Sequence, residues 1–195
     1  MRTLLRALTA VFALVCARPA GAHPHVWIDT TASFVIAKGA VTGVRMEWKF
    51  DEFFSATLFD DFDKNHNRRF EPAEVAALEK GAFSNTAQQN YFTFVKADGK
   101  AVELRKPKDF TVRVEGDKVI YSFLLPFARP LDPRQAVLTV TTYEDTYYID
   151  VAPAPRDPVR FEGDTSLSCK GVVAEDPNST IYFGSVHPLM ITLHC

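Results

Sequence analysis

Asp63-Lys64-Asn65-His66-Asn67-Arg68-Arg69-Phe70-Glu71-Pro72-Ala73-Glu74 stands in a chain whose apolar period changes several times. Oxygen-bearing side chains fall at positions 1, 3, 5, 9 and 12 of this stretch, and the apolar Phe70 falls at position 8. A hard divalent cation takes six to eight oxygens. This spacing supplies them from one turn, with Glu74 offering two oxygens and the Arg69 backbone carbonyl standing at the seventh position. Helical spacing flanks the stretch on both sides. Phe53, Phe54, Leu58 and Phe62 form one apolar face behind Asp51, a helix N-cap residue type, and Val75, Leu78 and Ala82 follow the loop. Pro72 suits a first helical turn, and the second helix is expected to end near Gly81 or Asn85. The predicted unit is an EF-hand-like helix–loop–helix over about 51–85, with Asp63, Asn65, Asn67, Arg69, Glu71 and Glu74 around a calcium-like ion. Arg68 stands where glycine usually makes the sharp turn, so a residue with a Cβ must adopt positive φ. Arg68 and Arg69 also place positive charge beside the ion, and weak binding is expected.

Strand patterns extend on either side. His25 to Ile36 alternates, Lys38-Gly39 turns, and Val41 to Phe50 resumes, which predicts a hairpin. Beyond the insertion, Tyr91–Val95 and Ala101–Leu104 flank Asp98-Gly99, and Phe110–Val114 and Val119–Leu125 flank Glu115-Gly116-Asp117. Ala136–Tyr143 and Tyr147–Val151 follow, and Tyr143 to Tyr148 reads as strand–turn–strand with half-buried tyrosines. Prolines 126, 130, 133, 153, 155 and 158 are read as turns or strand ends. The expected fold class is α+β, mostly β: one β-sandwich-like domain over 23–195 carrying the helix–loop–helix.

The first 22 residues read as a secretory signal peptide. Arg2 and Arg6 give a basic start, Leu4 to Val15 is a mostly apolar run that includes Arg6, and Ala20-Gly21-Ala22 offers a small-residue cleavage site. Val15 is too bulky before Cys16 for a lipoprotein signal. That apolar run is too short to span a bilayer, and no later stretch is long and apolar enough, so direct membrane insertion is not expected. Cleavage after Ala22 removes Arg2, Arg6 and Arg18 and leaves 19 basic against 24 acidic residues, net −5. That balance argues against nucleic acid or an anionic membrane as partner. In the oxidising periplasm, Cys169 and Cys195 are expected to form a disulfide. A thiolate metal site with His187 or His194 is the alternative.

The same cleavage leaves His23 first, its free α-amine beside its own imidazole, and His25 two residues on along the same face of an extended chain. Amine and imidazole nitrogens suit nickel, cobalt, zinc or copper. Pro24 lacks the amide N–H that the square-planar amine–amide copper motif requires. No order of Ser, His and Asp, no nucleophile elbow and no phosphate-binding glycine loop is present. No enzymatic activity is expected.

His23-Pro-His-Val-Trp-Ile-Asp29, Trp48-Lys-Phe-Asp-Glu-Phe-Phe54, Asn90-Tyr-Phe-Thr93, Lys106-Pro-Lys-Asp-Phe110 and Thr146-Tyr-Tyr148 together resemble a bacterial domain-of-unknown-function family. That family is described as the periplasmic component of an uncharacterised ABC-type transport system. The resemblance runs from about His23 to Val151. It implies a metal-handling accessory, because members are encoded near nickel/cobalt-type permeases or exporters, and an inner-membrane permease or exporter as partner. The family loop usually has glycine where this chain has Arg68. The expected function is a soluble periplasmic metal-binding accessory of a divalent transition-metal transport system, with His23 and His25 holding the cargo and the loop holding a structural cation. Two alternatives differ in chemistry. One is a copper-dependent histidine-brace enzyme or carrier, with His187 or His194 folded beside His23, and the other is a calcium-stabilised interaction module.

Overall fold

The structure, a computed structural model, describes residues 24–164 and 167–195. The signal peptide, its cleavage site and His23 lie outside the described residues. Among the described residues, eleven strands form two sheets. β1 (Val26–Ala37), β2 (Ala40–Phe50), β5 (Lys108–Glu115), β6 (Lys118–Leu131) and β8 (Ile149–Pro153) lie in the order β5-β6-β2-β1-β8, and β9 (Val159–Gly163) continues the same edge of β1. The second sheet runs β10-β11-β7-β3-β4, built from β3 (Thr93–Ala97), β4 (Lys100–Ala101), β7 (Leu138–Thr142), β10 (Lys170–Glu175) and β11 (Leu189–His194). Side chains of both sheets, Phe34, Val44 and Phe123 from the first and Val95, Val140 and Ile191 from the second, join one buried cluster. The mostly-β, two-sheet class read from the alternation therefore holds, with helices α1 (Glu52–Phe62) and α2 (Pro72–Gly81) inserted between β2 and β3.

The β1–β2 hairpin follows its period: Val26, Ile28, Thr30, Ala32, Phe34 and Ile36 of β1 all point inward and are buried. β6 departs from expectation, because Pro126 and Pro130 lie inside it. The pairing with β2 slips there, Gly43 opposing Pro126 and then Val41 opposing Leu131. Proline cannot donate to a ladder and is tolerated at such a bulge. Gly43 permits the close approach, since a Cβ there would lie 2.8 Å from the Leu125 carbonyl oxygen.

The segment before β3 also differs. Asn90, Tyr91 and Phe92 have φ of 52°, 52° and 48° and close a 3-10 segment, Phe83–Phe92, so the strand begins at Thr93 rather than Tyr91.

Asp51 caps α1 as its position predicts. Its Oδ1 accepts the N–H groups of Phe53 (2.8 Å) and Phe54 (3.0 Å), and its Oδ2 accepts the Trp27 N–H (2.8 Å). One carboxylate thus fastens the helix start to β1. Asp51→Ala is expected to destabilise the fold by about 1–2 kcal/mol, read by chemical denaturation. Three residues of the face the spacing predicts pack on the core, Leu58 buried and Phe54 and Phe62 partly so, and only Phe53 departs from it. Phe53 is 83% exposed, while Ser55, Leu58 and Phe59 are buried, and the Ser55 hydroxyl accepts the Val119 N–H of β6 at 3.0 Å.

The Cys169–Cys195 disulfide is formed, which removes the thiolate metal alternative. It lies one residue beyond the Lys170–His194 pair that closes the β10–β11 ladder. Such a bond fits an oxidising compartment. No helix among the described residues is long and apolar enough to cross a membrane.

Candidate metal centre

α1 ends at Phe62 and α2 begins at Pro72, so the intervening turn is positioned by two helices that pack on the strands. Asp63 is 2% exposed. Its Oδ1 accepts the Asn67 N–H (3.1 Å) and its Oδ2 the Arg68 N–H (2.8 Å). Asn65 Oδ1 accepts the Asn67 N–H at 3.0 Å, and Asn67 Oδ1 accepts the Arg69 N–H at 2.8 Å, which fixes the seventh-position peptide. Asn65 and Asn67 donate their amide N–H groups to Glu71, at 3.3 and 2.7 Å. Glu74, 9% exposed, closes the ring by accepting from Lys64 N–H (2.8 Å) and Glu71 N–H (3.0 Å). The five oxygen-bearing side chains picked out by spacing therefore form one hydrogen-bonded turn. A carboxylate oxygen that accepts one N–H keeps lone-pair capacity for a cation.

Electrostatics favour a cation here. Asp63 and Glu74 are buried carboxylates, and among the described residues neither forms a salt bridge. Hydrogen bonding with Glu74, and then with Asn67, holds the Glu71 carboxyl below the usual carboxylate range. Its folded-state value lies below the unfolded one, so its stabilising contribution is present above the unfolded value and is lost only as pH falls through the folded one.

Arg68 has φ of 61°, the left-handed conformation its position demands. Its charge, however, does not face the loop. The guanidinium pairs with Asp117 at 2.8 Å in the β5–β6 turn and lies 4.4 Å from the Phe59 ring centroid. The repulsion expected from Arg68 is thereby reduced, and the residue gains a tethering role that nothing in the local sequence signals. Arg68→Gly is expected to relieve about 1 kcal/mol of backbone strain and tighten calcium binding by roughly fivefold at most, measured by calorimetry. Loss of the exposed ion pair and the cation–π contact offsets that gain in overall stability.

His25 lies just before β1, exposed, with its ring centroid 4.9 Å from that of Tyr148 and its backbone N–H donated to the Tyr148 carbonyl at 2.9 Å. His187 Nδ1 lies 2.8 Å from the Ser179 carbonyl oxygen and 3.2 Å from that of Asp176, while His194 pairs with Lys170 in the second sheet. Among the described residues no three or more His, Cys, Asp or Glu side chains are arranged as a metal group. The loop relies on Asn65 and Asn67 as well as carboxylates.

Beside the His25 end of β1, Trp27 is in register with Asp150 of β8. Burial raises the Asp150 carboxyl above its ordinary value; the Tyr182 hydroxyl, 3.4 Å away, opposes the rise and the Asp29 charge adds to it. A raised folded value contributes stability at acid pH that is lost as pH rises through it. Asp150→Asn is expected to raise the melting temperature at pH 7, and the difference should vanish at pH values below the ordinary aspartate range.

Together these features define a β-rich protein with a helix–loop–helix insertion whose turn is closed by hydrogen bonds. Residues 8–183 match the family described as "Protein of unknown function (DUF1007)", and the chain belongs to it. An uncharacterized protein of Haemophilus influenzae is 28% identical over 159 residues, covering 80% of this chain and 74% of that protein. An uncharacterized 15.5 kDa protein in the trpE 3′ region of Spirochaeta aurantia is 31% identical over 130 residues, covering 66% of this chain and 91% of that protein. Neither name states an activity.

Proposed function

We propose that this protein is a periplasmic metal-binding accessory of a divalent transition-metal transport system, without enzymatic activity of its own. The observation that carries the metal-binding reading is the Asp63–Glu74 turn, where two buried carboxylates face backbone N–H groups and no cationic side chain. Buried charges are normally paired or bound to a metal. Oxygen donors suit a calcium-like ion, which would hold α1 and α2 at a fixed angle. The cargo is nickel, cobalt, zinc or copper, taken by the His23 amine and imidazole with His25, which stands exposed just before β1. A reachable site of few ligands suits handing an ion to a permease or exporter in the inner membrane.

The test is metal titration of the mature chain beginning at His23, beside a variant with one residue added before it. The extension moves the free amine away from the imidazole, and nickel or zinc affinity should fall by at least tenfold while calcium affinity stays. Equal transition-metal affinity in the two proteins overturns the terminal chelate. A second reading, a calcium-stabilised interaction module, is favoured by the five oxygen-bearing side chains of the loop meeting in one hydrogen-bonded turn. Calcium binding without transition-metal binding selects it.

A further inference from the structure

Among the described residues each sheet has two edges, and three of the four carry devices that discourage a further strand from pairing. β5 bears the charged Lys108, Asp109, Arg113 and Glu115 and a register slip between Lys108 and Thr111. The edge formed by β8 and β9 bears Pro153, Pro155 and Pro158, and β4 is two residues long. β10, Lys170-Gly171-Val172-Val173-Ala174-Glu175, ends the second sheet differently. It pairs with β11 without a register slip, holds no proline and is charged only at its two ends. Between them Val172 is 44% exposed.

The ladder with β11 fixes which backbone groups of β10 face outward. In an antiparallel pair, successive residues turn their N–H and C=O alternately toward the neighbour and away from it. The Asp176 N–H donates to the Pro188 carbonyl at 2.9 Å, one step beyond the Glu175–Leu189 pair. Counting back by twos, Ala174, Val172 and Lys170 bond β11, while Glu175, Val173 and Gly171 point away from it. The Cα atoms of Cys169 and Cys195 lie 4.0 Å apart, which agrees, since opposed residues that exchange no hydrogen bonds sit closer than those that do. Gly171, Val173 and Glu175 therefore offer a row of N–H and C=O groups on a side of β10 that no strand pairs among the described residues.

We propose that β10 pairs antiparallel with β10 of a second copy of this chain, about a two-fold axis through Val173. This register uses every outward group. Val173 exchanges two hydrogen bonds with its own counterpart, and Gly171 of each copy exchanges two with Glu175 of the other. Charge complementarity selects the direction. Antiparallel pairing sets the Lys170 end of each strand against the Glu175-Asp176 end of the other, whereas parallel pairing brings like ends together. Val172 meets Ala174 of the second copy and loses its exposure. The far edge of the sheet is β4, too short to continue it, so the contact is isologous and closes at two chains.

Sedimentation and amide exchange on the ¹⁵N-labelled mature chain test this together. A dimer should form as protein rises from low-micromolar to near-millimolar concentration. Over the same range the Gly171, Val173 and Glu175 amides should become protected, while those of Val172 and Ala174, already bonded to β11, stay as they were. Val172→Lys changes an exposed side chain and sets two cations diagonally across the axis, so the dimer should weaken about tenfold with the fold kept. Val173→Pro removes the central N–H donors, which face away from β11, and should leave a monomer at every concentration. A wild-type chain that stays monomeric overturns the proposal and leaves the edge to an extended segment of a different protein. A dimer whose three amides exchange as fast as in the monomer, or one unweakened in folded Val172→Lys, overturns it as well. The wild-type protection pattern decides the matter even if Val173→Pro does not fold.

Discussion

Reducing the Cys169–Cys195 bond will lower the melting temperature by about 6–12 °C. The two cysteines are 26 residues apart, and cross-linking a loop of that size stabilises by about 3 kcal/mol, chiefly by restricting the unfolded chain. For a domain of this length each kcal/mol corresponds to roughly 2–4 °C. Placement adds to the effect, because β11 is the strand through which β10 is attached to β7. Without the bond the C-terminal end of β11 frays, and β10 loses its anchor at Lys170–His194. Calorimetric scans with and without reductant measure the shift. Equal melting temperatures would show that the second sheet holds its edge without the cross-link.

Asp63→Ala will act on stability and on metal binding together. It removes the acceptor of the Asn67 and Arg68 N–H groups. Arg68 N–H is then left unpaired and Asn67 N–H keeps only Asn65 Oδ1, at a cost of about 1–3 kcal/mol. Calcium binding should be abolished with it. Asp63→Asn separates the two effects, since an amide oxygen still accepts an N–H but the charge is gone. That variant should melt within a few degrees of wild type yet bind calcium at least tenfold more weakly. Wild-type affinity in Asp63→Asn would mean that the turn is held by backbone hydrogen bonding alone and that Asp63 is not a ligand.

Periodicity made the hairpin, the helix–loop–helix and the mostly-β class legible, because alternation and helical spacing are local properties of burial. The loop geometry was legible for the same reason: Asp63, Asn65 and Asn67 close onto N–H groups two to five residues away. What was not legible depends on distant partners. Phe53 and Phe59 are equally apolar, and only the docking of Ser55 on Val119 decides which faces the core. Pro126 and Pro130 read as breaks until Gly43 opposes Pro126 across a bulge. Asp117 becomes the counter-ion of Arg68 only because the β5–β6 turn folds against the loop, 49 residues away in sequence. The left-handed turn at Asn90–Phe92 has no glycine to announce it.

The central claim is that Asp63–Glu74 is a cation site, and calcium calorimetry on the wild-type mature chain beside Glu74→Gln tests it most directly. Wild type should bind one calcium ion with a dissociation constant of roughly 10⁻⁴–10⁻³ M, the range of such loops in extracellular modules. Glu74→Gln should bind markedly more weakly, having lost the charge of the ligand that can give two oxygens. No calcium heat from wild type, with none recovered in Arg68→Gly, would contradict the account and leave the segment a turn that joins two helices.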